Sequence, residues 1–219
     1  NVEDRFDAVV KLSALGTPPA ISALSTALED SDENVRAIAI DGLARTGDPQ
    51  LVPVIAARLE QDKSIFVRKT AAYALGRIGS DAGTGALLRA LKDKNAEVRG
   101  AASVALTRYS DASAVDGLIA ALSDKSDFVR ARAAQALGIN RGAALRAISI
   151  LMKLLDSDPA LDVRRQSATA LGEIGDPAAL DSLERARLSA DPYLSHAASS
   201  AIEKIKNKSQ KPEARSQNL

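Results

Sequence analysis

Three arginines recur at a regular spacing in the first half of the chain. Arg45, Arg77 and Arg108 are separated by 32 and 31 residues, and Lys69 and Tyr73 precede Arg77 by eight and four residues. Guanidinium groups bind carboxylates through paired, charge-assisted hydrogen bonds, and a nearby aromatic ring adds an anchor. These residue types at this spacing predict recognition of an acidic protein segment or of a ligand with carboxylates. The alternative is a solvated surface whose arginines pair i,i+4 along their own helices.

The sequence lacks the residues that most catalytic and metal centres need. It has no Cys, which excludes disulfides, thiolate metal sites and cysteine nucleophiles, and its one histidine, His196, is too isolated to build a metal site. It contains no GxxxxGK[ST] phosphate-binding loop, no GxGxxG nucleotide motif and no HExxH zinc motif. We therefore predict no catalytic residues, no metal and no cofactor.

The arginines belong to a repeated pattern, V-R-x-x-A-x-x-A-L-G-x-I-G-D. With the valine as position 0, positions 0, +4, +7, +8 and +11 are apolar and share one stripe of a helix, which we name the VR helix. A shorter apolar helix follows each copy, and a period of 31–34 residues is typical of stacked helix pairs. Weaker copies begin at Asp4 and Leu194. The clear copies begin at Val35, Val67, Val98, Val129 and Val163.

This period predicts an all-α solenoid of about seven repeats over residues 1–206. Residues 207–219 have almost no apolar side chains, and we predict that they form a disordered basic tail. The first repeat lacks one helix of its pair and the chain begins at Asn1, so we expect that preceding residues have been removed. No signal peptide and no apolar stretch of 18 residues are visible, which favours a cytoplasmic protein without membrane contact.

Several side chains are expected to have structural roles. The arginine at position +1 of each copy is predicted to pair with an Asp of a neighbouring turn. The pairs Asp30/Asp32 and Asp156/Asp158 are predicted to cap helix N-termini. Small residues at +5 and +9, opposite the apolar stripe, are expected to leave room for a partner's backbone or a flat ligand. The predicted binding residues are Arg45, Lys69, Tyr73, Arg77 and Arg108, with Phe6 and Asp41 at the N-terminal margin and Arg165 farther along the chain.

The repeated pattern resembles the short HEAT repeats known as EZ-HEAT, or phycobilisome-lyase HEAT-like repeats, over about residues 4–205. This resemblance implies a right-handed α-solenoid whose VR helices line the concave side. Relatives of this kind include phycobilin lyase subunits, phycobilisome-degradation proteins, deoxyhypusine hydroxylases and plain scaffolds. The hydroxylases hold a di-iron centre with repeated His-Glu pairs, and this chain has no His-Glu pair, which argues against that activity.

The sequence leaves two hypotheses for the function. The first is a non-catalytic scaffold that binds a protein partner with an acidic segment along the concave face. The alternative is a phycobilin lyase subunit or a phycobilisome chromophore-detaching or degradation protein, for which a bilin would be the substrate or ligand and a phycobiliprotein the partner. The basic tail is best explained as a solvated end, so nucleic acid is not an expected partner.

Overall fold

The computed structural model describes residues 1–109 and 111–210, and in that part of the chain all regular secondary structure is helical. Seven VR helices alternate with six short helices, which confirms the predicted all-α repeat architecture for the described residues. The VR helices are α1 (Val2–Ser13), α3 (Glu33–Arg45), α5 (Ile65–Ile78), α7 (Ala96–Ala105), α9 (Asp127–Ile139), α11 (Leu161–Ile174) and α13 (Pro192–Gln210). The short helices are α2 (Pro18–Ala27), α4 (Val52–Gln61), α6 (Thr84–Ala90), α8 (Ala112–Ala121), α10 (Ile148–Ser157) and α12 (Leu180–Arg187).

The chain divides into two compact units, Asn1–Tyr109 and Ser110–Leu219. In the first unit α1 packs on α3, α3 on α5 and α5 on α7. In the second unit α9 packs on α11 and α11 on α13. Each unit is therefore a stack of VR helices, with the short helices packed beside them.

Polar caps and glycines set the ends of the VR helices. Asp32 accepts from the backbone N–H groups of α3, and Asn95 does the same for α7, which satisfies donors that have no partner inside a helix. Gly79 ends α5 at φ 67°, and Gly175 ends α11 at φ 78°. These left-handed conformations strain any residue with a Cβ, so the pattern needs glycine there.

The valine that opens each clear copy is fully buried in every case. Burial of such a side chain stabilises the folded state by about 1.5–3 kcal/mol. At position +11 of the copy that begins at Val98, Tyr109 replaces the usual Ile; it lies after the end of α7 and is only 2% exposed. Its hydroxyl donates to the Leu75 carbonyl at 2.9 Å, and burial raises its pKa to about 12. Tyr109 is thus a core residue, as its place on the stripe predicts.

The small residues at +5 and +9 are buried, so the expectation that they leave room for a ligand is wrong. Ala72 at +5 of α5 is fully buried, and Gly76 at +9 packs against Ala105 of α7. A Cβ on Gly172 would lie 2.6 Å from the Cα of Ala201 on α13. Their small size lets neighbouring VR helices approach closely, which is a packing role and not a binding role.

The last VR helix is longer than predicted. α13 continues to Gln210, so residues 207–210, assigned to the disordered tail, are helical. Lys208 stabilises this extension, because its stem packs on Gly175 and its Nζ donates to the Ile174 carbonyl at 2.8 Å. Residues 211–219 of the predicted tail lie outside the described part of the chain.

Candidate protein-binding face

The arginine at position +1 clamps consecutive repeats together, as predicted. Arg36 donates from Nε and Nη2 to the Asp62 carboxylate at 2.8 and 2.9 Å, and both side chains are about 95% buried. Its Nη1 donates to the Asp30 carbonyl at 2.8 Å. Arg68 and Arg130 make the same paired contacts with an Asp of the next repeat. Because these guanidinium groups hold the stack, they are not available to a ligand.

The carboxylate of each clamp also shapes the turn in which it lies. Asp62 accepts from the Ser64 backbone N–H at 2.8 Å, and Asp158 accepts from the Ala160 N–H at 2.9 Å. Asp158 follows the last residue of α10, and Asp156 is in that helix's last turn, where it pairs with Arg185. The prediction that this pair caps a helix N-terminus is therefore wrong. Of the Asp30/Asp32 pair, only Asp32 is a cap, because Asp30 pairs with Arg5.

Hydrogen bonds from the arginines and from backbone N–H groups lower the pKa of the Asp carboxyl groups in these pairs. The Arg5 guanidinium and the Asp32 backbone N–H hold the pKa of Asp30 at about 2. Burial alone raises the pKa of Asp62, but hydrogen bonds from Arg36 and the Ser64 N–H outweigh it and leave the pKa below its usual value. The ionised carboxylates are therefore the forms that stabilise the fold.

The free energy of unfolding is expected to fall when the pH drops below about 4. The folded-state pKa of Asp30 lies below its unfolded value, so its contribution is complete above about pH 4 and is lost as the pH falls through about 2. Urea unfolding, followed by helical circular dichroism from neutral to acid pH, measures this loss. In the Asp30→Asn variant the free energy of unfolding should fall less steeply at acid pH than in the parent chain. An equally steep fall in that variant would show that ionised Asp30 does not stabilise the fold.

In the repeat that begins at Val163, Arg165 at position +2 pairs with an Asp in place of the arginine at position +1. Its Nε and Nη2 donate to Asp191, both at 3.1 Å, and its guanidinium lies 5.3 Å from the centre of the Tyr193 ring. Arg164, which holds position +1, donates instead to the Leu155 carbonyl at 2.9 Å. The structure therefore gives Arg165, a predicted binding residue, a clamp of its own.

Three of the predicted binding residues meet in the first unit. The Asp41 carboxylate accepts from Arg45 Nε at 2.9 Å on its own helix and from Arg77 Nη1 at 2.7 Å on α5. Arg45 thus makes the i,i+4 pair that the solvated-surface alternative expects, while Arg77 reaches across to the neighbouring helix. Both guanidinium groups remain more than half exposed.

The other predicted residues of this unit lie on α1, on α5 and after the end of α7. Tyr73 is 46% exposed on α5, one turn before Arg77. Lys69 pairs with Glu97 of α7, and Arg108 is exposed at the end of a 3-10 turn and makes no ion pair with a described residue. Phe6 is half-buried on α1. We name Arg45, Lys69, Tyr73, Arg77 and Arg108 the arginine face.

Grooves between VR helices were not predicted from the sequence. One of about 290 Å³ lies between α1 and α3 and has Ala14, Leu15 and Arg45 in its lining. Another, of about 370 Å³, lies between α9 and α11 in the second unit and has Gln135, Ile139 and Glu173 in its lining. Each groove has a glycine of a VR helix in its lining, Gly42 in the first and Gly138 in the second.

The described residues, 1–109 and 111–210, contain neither a metal-binding cluster nor a membrane-spanning helix. Among them, no group of three or more His, Asp or Glu side chains is placed to hold a metal ion. In the same part of the chain no helix has the length and apolar character required to span a bilayer.

Comparison with known proteins identifies the repeats. The family model for HEAT repeats matches residues 21–107, 84–164 and 115–203. A phycobilisome maturation protein from Synechococcus elongatus is 38% identical over 71 residues, which is 32% of this chain and 34% of the relative. The match thus spans about a third of that relative's length.

Solved structures share the fold. The complex of CpcE and CpcF of phycocyanin lyase from Nostoc sp. aligns with a TM-score of 0.54 and 21% identity, over 92% of this chain and 88% of that one. A designed armadillo repeat protein in complex with a (KR)4 peptide aligns with a TM-score of 0.61 and 20% identity, over 84% of this chain and 99% of that one. At such identities the likeness concerns the fold alone.

Proposed function

This chain belongs to the HEAT repeat family, and from that premise we propose that it is a non-catalytic module that binds a protein partner on the exposed side of its VR helices. The observation that carries the proposal is the arginine face. Arg45 and Arg77 share one carboxylate and keep half of their surface exposed, with Tyr73 between them along the chain. Exposed arginine and tyrosine side chains are the types that contribute most to protein–protein affinity.

Different positions of the VR helices have different roles. The position +1 arginines pair with Asp residues between repeats, and the small residues allow neighbouring helices to pack closely. In the first unit the exposed side chains include Tyr73 at +6 and Arg77 at +10, and Lys69 at +2 is partly exposed. An acidic segment of a protein is the partner that this set of charges favours.

A second candidate is a phycobilin lyase subunit or a phycobilisome chromophore-detaching or degradation protein. It is favoured by the partial match to the phycobilisome maturation protein and by the fold shared with the CpcE–CpcF complex. In that case the partner would be a phycobiliprotein and the ligand a bilin.

Visible absorption separates the two candidates. The chain is mixed with free phycocyanobilin and, separately, with a phycobiliprotein, and complex formation is followed in parallel by size-exclusion chromatography. A binding module forms a complex with its protein partner and leaves the bilin spectrum unchanged. A spectral shift with free bilin, or chromophore transfer or release, would overturn the non-catalytic proposal and favour the second candidate.

A further inference from the structure

The groove between α1 and α3 ends at the arginine face. Its lining includes Ala14, Leu15 and Gly42, and Arg45 stands at its edge. Leu15 is 59% exposed, which is high for a large apolar side chain. The absence of a side chain on Gly42 is required by packing, because a Cβ there would lie 2.7 Å from the Ser13 Cβ. The exposed Leu15 side chain and Arg45 therefore line the same groove, together with the polar residues Ser13 and Thr46.

Asp41 occupies the position that an external carboxylate would take. Its two oxygens accept from guanidinium groups of two different helices, at 2.9 Å from Arg45 and 2.7 Å from Arg77. The carboxylate is 34% exposed, so water and other anions reach the same guanidinium groups. A partner's acidic side chain must share these donors with Asp41 or displace it.

The charges around Asp41 favour an acidic occupant. Arg45 and Arg77 both contact its carboxylate, so two positive charges meet one negative charge, while Lys69 is paired with Glu97. Arg108 is exposed and makes no ion pair with a described residue, so its positive charge is open to an acidic partner.

We infer that the arginine face takes an acidic segment of a protein that also carries an apolar side chain, and that Asp41 is the built-in competitor of that segment. The apolar side chain lies in the groove beside Leu15, and the partner's carboxylates bind Arg45, Arg77 and Arg108. This inference rests on the proposed function, since both use the same face. It adds the chemistry of the partner and a residue that limits its affinity.

Fluorescence anisotropy with two labelled peptides tests the inference. One is a glutamate-rich peptide with a central leucine, and the other has serine in place of that leucine. We expect Asp41→Asn to tighten binding of the leucine peptide roughly three- to tenfold, because two guanidinium groups lose their internal counter-charge. Asp116→Asn, which removes an exposed carboxylate paired with Arg146 in the second unit, is the matched control and should leave binding unchanged.

A second variant tests the groove. Ala14 is exposed at the C-terminal end of α1, so Ala14→Phe fills the groove without entering the core. It should abolish the preference for leucine over serine. Equal binding of the two peptides by the parent chain, or unchanged or weaker binding by Asp41→Asn, would overturn the inference. Thermal melts of each variant confirm that it is folded.

The failure of this inference is distinguishable from failure of the proposed function. If the natural protein partner binds but Asp41→Asn leaves both the partner's and the peptide's affinity unchanged, the partner's chemistry is wrong and the binding role stands. If the peptides behave as expected but the chain transforms or releases a bilin, the proposed non-catalytic function fails and the acidic site stands.

Discussion

Replacing Asp62 by alanine is expected to lower the free energy of unfolding by about 3–5 kcal/mol. The change removes the acceptor of two Arg36 hydrogen bonds and leaves a guanidinium group that is only 5% exposed without its counter-charge. It also removes the acceptor of the Ser64 backbone N–H. Chemical unfolding of the parent chain and the variant at neutral pH, followed by circular dichroism, measures the difference.

Asp116→Ala is the matched control for that change. Asp116 pairs with Arg146 at 2.7 Å, but both side chains are more than half exposed. Exposed pairs contribute little because water solvates both charges when the pair is broken. A loss for Asp62→Ala no larger than that for Asp116→Ala would show that the buried clamps do not hold the repeats together.

Gly172→Ala is expected to destabilise the chain by about 1–3 kcal/mol, although alanine is the better helix former. The new Cβ would lie 2.6 Å from the Cα and 2.7 Å from the Cβ of Ala201. Backbone atoms of a packed helix do not move aside cheaply, so α11 and α13 must separate. The unfolding midpoint in urea measures the effect.

Gly85→Ala should change stability in the opposite direction. Gly85 is exposed in α6, and the only atom within 4 Å of its added Cβ is the flexible end of Arg89, at 3.5 Å. Alanine there should gain up to about 1 kcal/mol from helix propensity alone. If both glycine variants are stabilised, close approach of the VR helices is not what position +9 provides.

The repeat and its clamps could be predicted because each copy repeats the same evidence. Apolar positions at helical spacing fix the buried stripe, and an arginine next to it needs an acceptor that only a neighbouring turn supplies. The helical wheel could not show which neighbour covers each remaining face. A VR helix is flanked by other VR helices as well as by short helices, so Ala72 and Gly76 are buried although they lie away from the stripe.

The sequence also could not show which arginine pairs with which carboxylate in an individual repeat. Arg164 and Arg165 are adjacent arginines, and only the structure shows that Arg165 takes the Asp191 carboxylate. Asp41 and Arg77 are 36 residues apart, so their pairing depends on the close approach of α3 and α5. That pairing is the feature of the arginine face that composition and spacing could not supply.

The most direct test of the account is the affinity of the natural protein partner for a variant in which Tyr73 and Arg77 are both alanine. Partner captured from the source organism with the parent chain is titrated against both proteins by calorimetry. We expect a loss of roughly 2–4 kcal/mol in binding free energy with almost unchanged thermal stability, because both side chains are about half exposed. Undiminished binding, or a variant that unfolds several degrees lower without a loss of affinity, would contradict it.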